Sequence, residues 1–171
     1  VIAKDMVSGK EFPVRGRHVV STVGPWTDIL GNQLFNDWQN LLRPTKGIHL
    51  TFSRERLPIR DAVIMSDDVH NRIVFVIPRH EMVIVGTTDT DFRANPETVH
   101  TDRNDVDYLL GLLGDYFPGA RLEKKDIIAS YAGVRPLVHD GSVSEGKTSR
   151  EHAIIHDPRN ITFVAGGKYT T

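Results

Sequence analysis

Ile48-His49-Leu50-Thr51-Phe52, Ala62-Val63-Ile64-Met65, Ile73-Val74-Phe75-Val76-Ile77 and Met82-Val83-Ile84-Val85 follow one another in quick succession. Each segment is too short for a helix and rich in β-branched residues. Pro, Gly, Asp and Asn separate them, which is turn chemistry. Neighbouring strands with tight links and no helix between them cannot be βαβ units, so the pattern predicts an antiparallel meander. Arg79-His80-Glu81 is the expected hairpin loop. The fold class that follows is α+β, with a mostly antiparallel sheet and flanking helices.

Downstream, Thr101-Asp102-Arg103-Asn104 opens the best helix. Val106, Leu109, Leu110 and Leu113 recur at helical spacing until Pro118-Gly119 stops it. Ile127 to Val134 reads as a strand ended by Arg135-Pro136, and residues 139–149 as a polar loop. Ala153-Ile154-Ile155 and Ile161 to Ala165 are two more strands, turned by Asp157-Pro158-Arg159-Asn160. Upstream, residues 1–7 and 12–23 read as strands around Ser8-Gly9-Lys10. The second runs into Gly24-Pro25-Trp26 and a short helix to about Phe35, a strand-to-helix junction. Three divisions result: 1–44, 45–158 and 159–171. Both ends read as pieces of a second domain.

Bulk properties exclude several functions. The chain has 171 residues, enough for a real core, and its 39% hydrophobic and 25% charged content is that of a soluble globular chain. A net charge of −1 leaves no electrostatic footprint for nucleic acid. Without cysteine there is neither a disulfide framework nor thiolate chemistry, which suits a cytoplasmic setting. No apolar run approaches the ~20 residues that span a bilayer. Val1 opens the chain without Met, and Thr171 closes it just after Gly166-Gly167-Lys168-Tyr169-Thr170. A strand feeding two glycines and a cation exposes backbone N–H groups to a cofactor or anion. With no following helix, the chain is expected to be a piece of a larger enzyme.

Gly141-Ser142-Val143-Ser144-Glu145-Gly146-Lys147-Thr148 matches the phosphate-loop pattern formally. That loop needs a strand before it and a helix after it, and neither flank supplies one, so a polar loop without nucleotide is expected. No Gly-x-Gly-x-x-Gly is present either. His152 and His156 are four apart on an expected strand, ~13 Å along the chain, so no metal site is expected. His49 alternates with Ile48 and Leu50. It is either a satisfied strand histidine, or a general base or substrate hydrogen bond near neutral pH. Arg135, extended before a proline, either pairs with an acid or forks onto a carboxylate or phosphate. Lys168, after two glycines, has room for a ligand at the backbone.

Six stretches in order carry a family resemblance: Gly24-Pro25-Trp26, Lys46-Gly47-Ile48-His49, Gly86-Thr87-Thr88-Asp89-Thr90-Asp91, Tyr131-Ala132-Gly133-Val134-Arg135-Pro136-Leu137, Ser149-Arg150-Glu151-His152, and Gly166 to Thr171. Together they make the chain resemble the middle portion of the FAD-dependent glycerol-3-phosphate dehydrogenases. Two stretches depart from that pattern: Ser21-Thr22-Val23 stands where Asn-Ala-Ala or Asn-Ala-Thr is more usual, and Ile48 where Ser is more usual.

The resemblance implies a substrate-binding domain between segments of an FAD domain. The implied reaction takes sn-glycerol 3-phosphate to dihydroxyacetone phosphate, with electrons passing from FAD to a quinone. The longer protein would be cytoplasmic or peripheral on the inner face of the membrane. It further implies that Arg135 and Lys168 hold the phosphate or the reacting oxygen and that His49 faces the substrate. Gly24, Pro25, Gly166, Gly167, Tyr169 and Thr170 would lie near the flavin. The chain alone would then be inactive. Two alternatives stand: a related glycine or amino-acid oxidase, and a stable domain without activity. Two cations at 135 and 168 suit a phosphate dianion better than a lone carboxylate.

Overall fold

The long strand β4 (Leu42–Ser53) organises the molecule. Its apolar residues Ile48, Leu50 and Phe52 occupy alternate positions and are fully buried; of the residues between them Thr51 is also buried and His49 only partly so. This alternation is the two-residue period of a strand. The computed structural model describes residues 1–139 and 151–167. The loop at 141–148 and the site candidates Lys168, Tyr169 and Thr170 lie outside the described residues.

Before β4 come β1 (Ile2–Lys4), β2 (Glu11–Pro13) and β3 (Val19–Ser21), then a 3₁₀ turn at Gly24–Trp26 and α1 (Thr27–Leu34). After it come β5 (Val63–Asp67), β6 (Arg72–Arg79), β7 (Met82–Gly86), β8 (Thr90–Asp91), α2 (Arg103–Tyr116), β9 (Ile127–Val138), β10 (His152–Asp157) and β11 (Ile161–Gly166). The meander is present. β5, β6, β7 and β4 lie side by side, each antiparallel to the next. β7 and β8 lie end to end along one edge of β4, and β9 runs antiparallel along the other. The β6–β7 link is a hairpin in which His80 takes a positive φ of 53°.

α2 covers one face of this sheet. Asp102 caps it, its side chain accepting from Asp105 N at 3.1 Å, while the Asp105 carboxylate accepts from Asp102 N at 3.0 Å. Such a reciprocal cap contributes about 1 kcal/mol. Leu109 and Leu113, one turn apart, bury against Leu50, Phe52, Val74, Val76, Val83 and Val85. Lys46 enters the same layer and donates to Asp102 and Asp105, at 2.6 Å each, pinning the helix start to β4. At the far end Tyr108 donates to Asp67 at 2.8 Å.

The strand at 127 does not stop at Arg135-Pro136 as expected; β9 runs through to Val138. Pro136 stands opposite Pro44, and the Pro44 carbonyl accepts from Phe92 N on the other side of β4. The pair is therefore one whose backbone groups point away from each other, and Pro136 needs no N–H toward β4. The upstream strand expected at 12–23 is likewise broken into β2 and β3, which belong to different sheets.

β3 pairs in parallel with β11, and β11 antiparallel with β10, in a separate three-stranded sheet. Its small core is Phe35, Ile161 and Phe163 with Trp38 beside them. Asp28 ties α1 to the start of β4, accepting from Trp38 Nε1 at 3.0 Å and from the amides of Leu41 and Leu42 at 2.9 Å. The sheet boundaries fall differently from the sequence divisions. β4 crosses 44/45, and β10, before 158, pairs with β11.

Candidate active site

Register decides which side chains share a face. His49 stands opposite Tyr131 on β9 and Gly86 on β7, and Arg135 stands opposite Thr45. Thr45, Gly47 and His49 alternate along β4, so Arg135 and His49 project from the face away from α2. Two glycines make room for them. A Cβ at Gly47 would overlap the Arg135 guanidinium, 2.6 Å from its Cζ, and one at Gly86 would overlap the His49 ring, 2.7 Å from its Cγ. Both side chains therefore lie flat on the sheet, each seated on a glycine. Tyr131 stacks on the His49 ring at 4.7 Å between centroids and 11° between planes.

Arg135 is held by three consecutive residues between β7 and β8. It donates to Thr87 Oγ1 at 2.9 Å, to Asp89 Oδ1 at 3.2 Å and to the Thr88 carbonyl at 3.3 Å. His49 is held below the ordinary histidine value, first by burial and then by the positive charge of Arg135. Its ring is therefore neutral at neutral pH and has a lone pair to offer. Arginine stays protonated and can only donate. The pair thus combines a fixed positive charge with a proton acceptor on one open face. Of the two readings of Arg135, the pairing with an acid is observed, with Asp89 as the partner, and the face it lies on leaves the anion reading open.

Lys168 lies outside the described residues, so its convergence with this pair has no structural description. His152 and His156 lie on β10, and among the described residues no group of three His, Asp or Glu side chains could hold a metal. Sequence reasoning left Thr87, Asp89 and Tyr131 without roles, although each lies in a quoted motif. Nothing periodic marks them, since their partner is on another strand.

A cofactor would meet the molecule at the ends of the parallel pair. β3 and β11 run the same way, and ligands gather beyond the carboxyl ends of parallel strands. Gly24, just past β3, has φ of 58°, and a side chain there would meet nothing within 4 Å. Gly166 and Gly167, at the end of β11, have φ of 75° and 84°. Ser21, the last residue of β3, is buried with an Oγ that has no hydrogen-bond partner. The open turn at Gly24 and the orphan Ser21 hydroxyl fit the edge of a bound cofactor, whereas Gly166 is crowded, a Cβ there lying 2.6 Å from the Glu151 carbonyl oxygen. The 3₁₀ turn carrying Gly24 and Pro25 packs against β9 and β11, which links this edge to the strand bearing Arg135.

The family model for FAD-dependent oxidoreductases matches residues 3–171. The chain belongs to that family. Among its members, the α-glycerophosphate oxidase of Streptococcus pyogenes is 39% identical over 148 residues, 85% of this chain and 24% of the relative. The aerobic glycerol-3-phosphate dehydrogenase of Staphylococcus haemolyticus is 30% identical over 167 residues, 98% of this chain and 30% of the relative. The solved glycerol-3-phosphate dehydrogenase of Bacillus halodurans complexed with FAD superposes at a TM-score of 0.83 with 30% identity, over 99% of this chain and 32% of that one. The chain thus spans about a quarter to a third of the length of these relatives.

Proposed function

We propose that this chain is the substrate-facing part of an FAD-dependent enzyme that oxidises sn-glycerol 3-phosphate to dihydroxyacetone phosphate. The observation that carries the reading is the Arg135–His49 pair, seated on Gly47 and Gly86 within a fold superposable on a glycerol-3-phosphate dehydrogenase. Residues 1–44 and 159–171 are assigned to the FAD domain and 45–158 to the substrate domain, except that β10 goes with the FAD domain because it pairs with β11, and the start of β4 at Leu42 goes with the substrate domain.

Oxidation at C2 removes a hydride from carbon and a proton from oxygen. FAD, when bound, supplies the hydride acceptor. His49 takes the hydroxyl proton, because it is the member of the pair with a lone pair to receive it. Arg135 stabilises the oxygen as negative charge develops, or binds the phosphate, with Lys168 as the second cation. Gly24, Pro25, Gly166, Gly167, Tyr169 and Thr170 border the flavin.

A quinone is proposed as the electron acceptor, with the longer protein cytoplasmic or peripheral on the inner membrane face. The relatives that match nearly the whole chain are dehydrogenases by name, which favours an acceptor other than oxygen. The oxidase at 39% identity favours oxygen instead. Oxygen uptake measured against quinone reduction in the full-length protein separates the two. The residues described supply no dinucleotide fingerprint, so the 171-residue chain alone is expected to purify colourless and without turnover. A yellow, active 171-residue protein would overturn that assignment. The reading itself is tested by turnover of glycerol 3-phosphate against a lone carboxylate substrate such as glycine. Preference for glycine would contradict it.

A further inference from the structure

Between Gly86 of β7, opposite His49, and Thr90 of β8, opposite Lys46, the edge of the sheet carries one residue too many. Three residues, Thr87 to Asp89, face two on β4, Gly47 and Ile48. This is a β-bulge, a device that breaks the ladder locally and re-aims side chains. The amide it leaves unpaired is still satisfied, since Ile48 N donates to Thr88 Oγ1 at 3.0 Å. With that amide repaired by a side chain, the Thr88 carbonyl is turned elsewhere.

All three bulge residues present an acceptor to the same guanidinium: the Thr87 hydroxyl, the Thr88 carbonyl and the Asp89 carboxylate. Asp89 is only 8% exposed, so its charge is engaged away from bulk water, where an ion pair is strong and its loss is costly. Opposite these acceptors the glycine seat at Gly47 removes the one side chain that would lift the guanidinium off the sheet. Arg135 has a long, flexible stem, and these three acceptors and the glycine seat favour one place for its head, over Gly47 between Thr45 and His49 on the site face.

We propose that the bulge Thr87–Asp89 is a positioning device for the reaction, holding the Arg135 guanidinium over Gly47 and aimed along the sheet toward His49. The inference rests on the reading of Arg135 as a substrate- or oxyanion-binding residue. Thr87 and Asp89 act through Arg135 and are positioning residues.

The test uses the full-length flavoprotein with glycerol 3-phosphate, comparing Asp89→Asn, Thr87→Val, Thr87→Ser and Arg135→Ala. A misplaced catalytic group loses up to about a hundredfold, so Asp89→Asn is expected to lower kcat/KM by about tenfold or more, and Thr87→Val by less. Both losses should divide between kcat and KM in the same proportion as that of Arg135→Ala, and Thr87→Ser, which keeps the hydroxyl, should retain wild-type values. In the double variant Arg135→Ala/Asp89→Asn, the second change should add nothing, because its partner is already gone. If Asp89→Asn does not fold, the Thr87→Val and Thr87→Ser pair decides. Wild-type kinetics in Thr87→Val and Asp89→Asn alongside an inactive Arg135→Ala would overturn the positioning role and leave the reading of Arg135 standing. Full additivity in the double variant would also overturn it. Wild-type kinetics in Arg135→Ala would overturn the underlying reading itself.

Discussion

The two faces of β4 are made from one stretch of chain and solve opposite problems. Toward α2, Ile48, Leu50 and Phe52 are large, apolar and 0% exposed. Away from α2, Gly47 has no side chain, His49 lies flat over Gly86, and Tyr131 beside it is 52% exposed. The first face gains stability by filling space. The second leaves space so that two polar side chains can lie in fixed positions on the backbone. Lys46 shows that polarity alone does not mark the site. It falls on the filled face, where Asp102 and Asp105 consume its charge.

Substitutions on the two faces should therefore separate stability from activity. Phe52→Ala empties a fully buried site and is expected to cost about 3–5 kcal/mol, read by thermal unfolding of the full-length protein. The molecules that remain folded should turn over normally. Lys46→Met strips the partner from the buried Asp105, and breaking such a pair costs about 3–5 kcal/mol. The hydrogen bond from Lys46 also holds the Asp102 carboxyl below the ordinary value of 3.8. A depressed folded value gives stability that is complete above the unfolded value and lost as pH falls through the folded one. The acid loss of stability below about pH 4 should thus be shallower in Lys46→Met than in wild type.

On the open face the order reverses. Arg135→Ala should cut turnover with glycerol 3-phosphate by about a hundredfold or more, the scale of a lost transition-state donor, with the unfolding temperature little changed. Gly47→Ala places a methyl group where the guanidinium lies. The head of a flexible side chain can move aside, so stability should change by less than about 1 kcal/mol while kcat/KM falls about tenfold. If Gly47→Ala instead unfolds the protein with normal specific activity, the glycine serves packing and the contrast between faces fails. The smallest effect is in pH dependence. Because burial and Arg135 lower His49, the acid limb of kcat/KM should lie below the ordinary histidine range near 6.5. Residual activity in Arg135→Ala should show that limb moved upward, since one cause of the depression is gone.

Much of this contrast was legible in the sequence. The alternation around His49 and the turn residues between short apolar runs specify the meander, because period and turn chemistry are local properties. The helix at 103–116 was legible through its cap and its leucine spacing. What was not legible depends on partners far along the chain. Pro136 looks like a strand end until Pro44 is known to stand opposite it. Asp89 looks like one acid among many until the bulge brings it to Arg135. Gly47 and Gly86 look like ordinary turn or strand glycines until the side chains above them are placed. The candidate residues themselves were named from residue type and resemblance, and only the register shows that Arg135 and His49 share a face.

A crystal structure of the full-length flavoprotein with sn-glycerol 3-phosphate bound tests the central claim most directly. The ligand is expected on the Gly47–Gly86 face. One of its oxygens should lie within about 3.2 Å of the Arg135 guanidinium and its C2 hydroxyl within the same reach of the His49 ring. The claim is contradicted if the ligand sits elsewhere, for example in the cavity of about 690 Å³ between α1 and β8 that Arg43, Asp91 and Arg93 line, with Arg135 and His49 untouched.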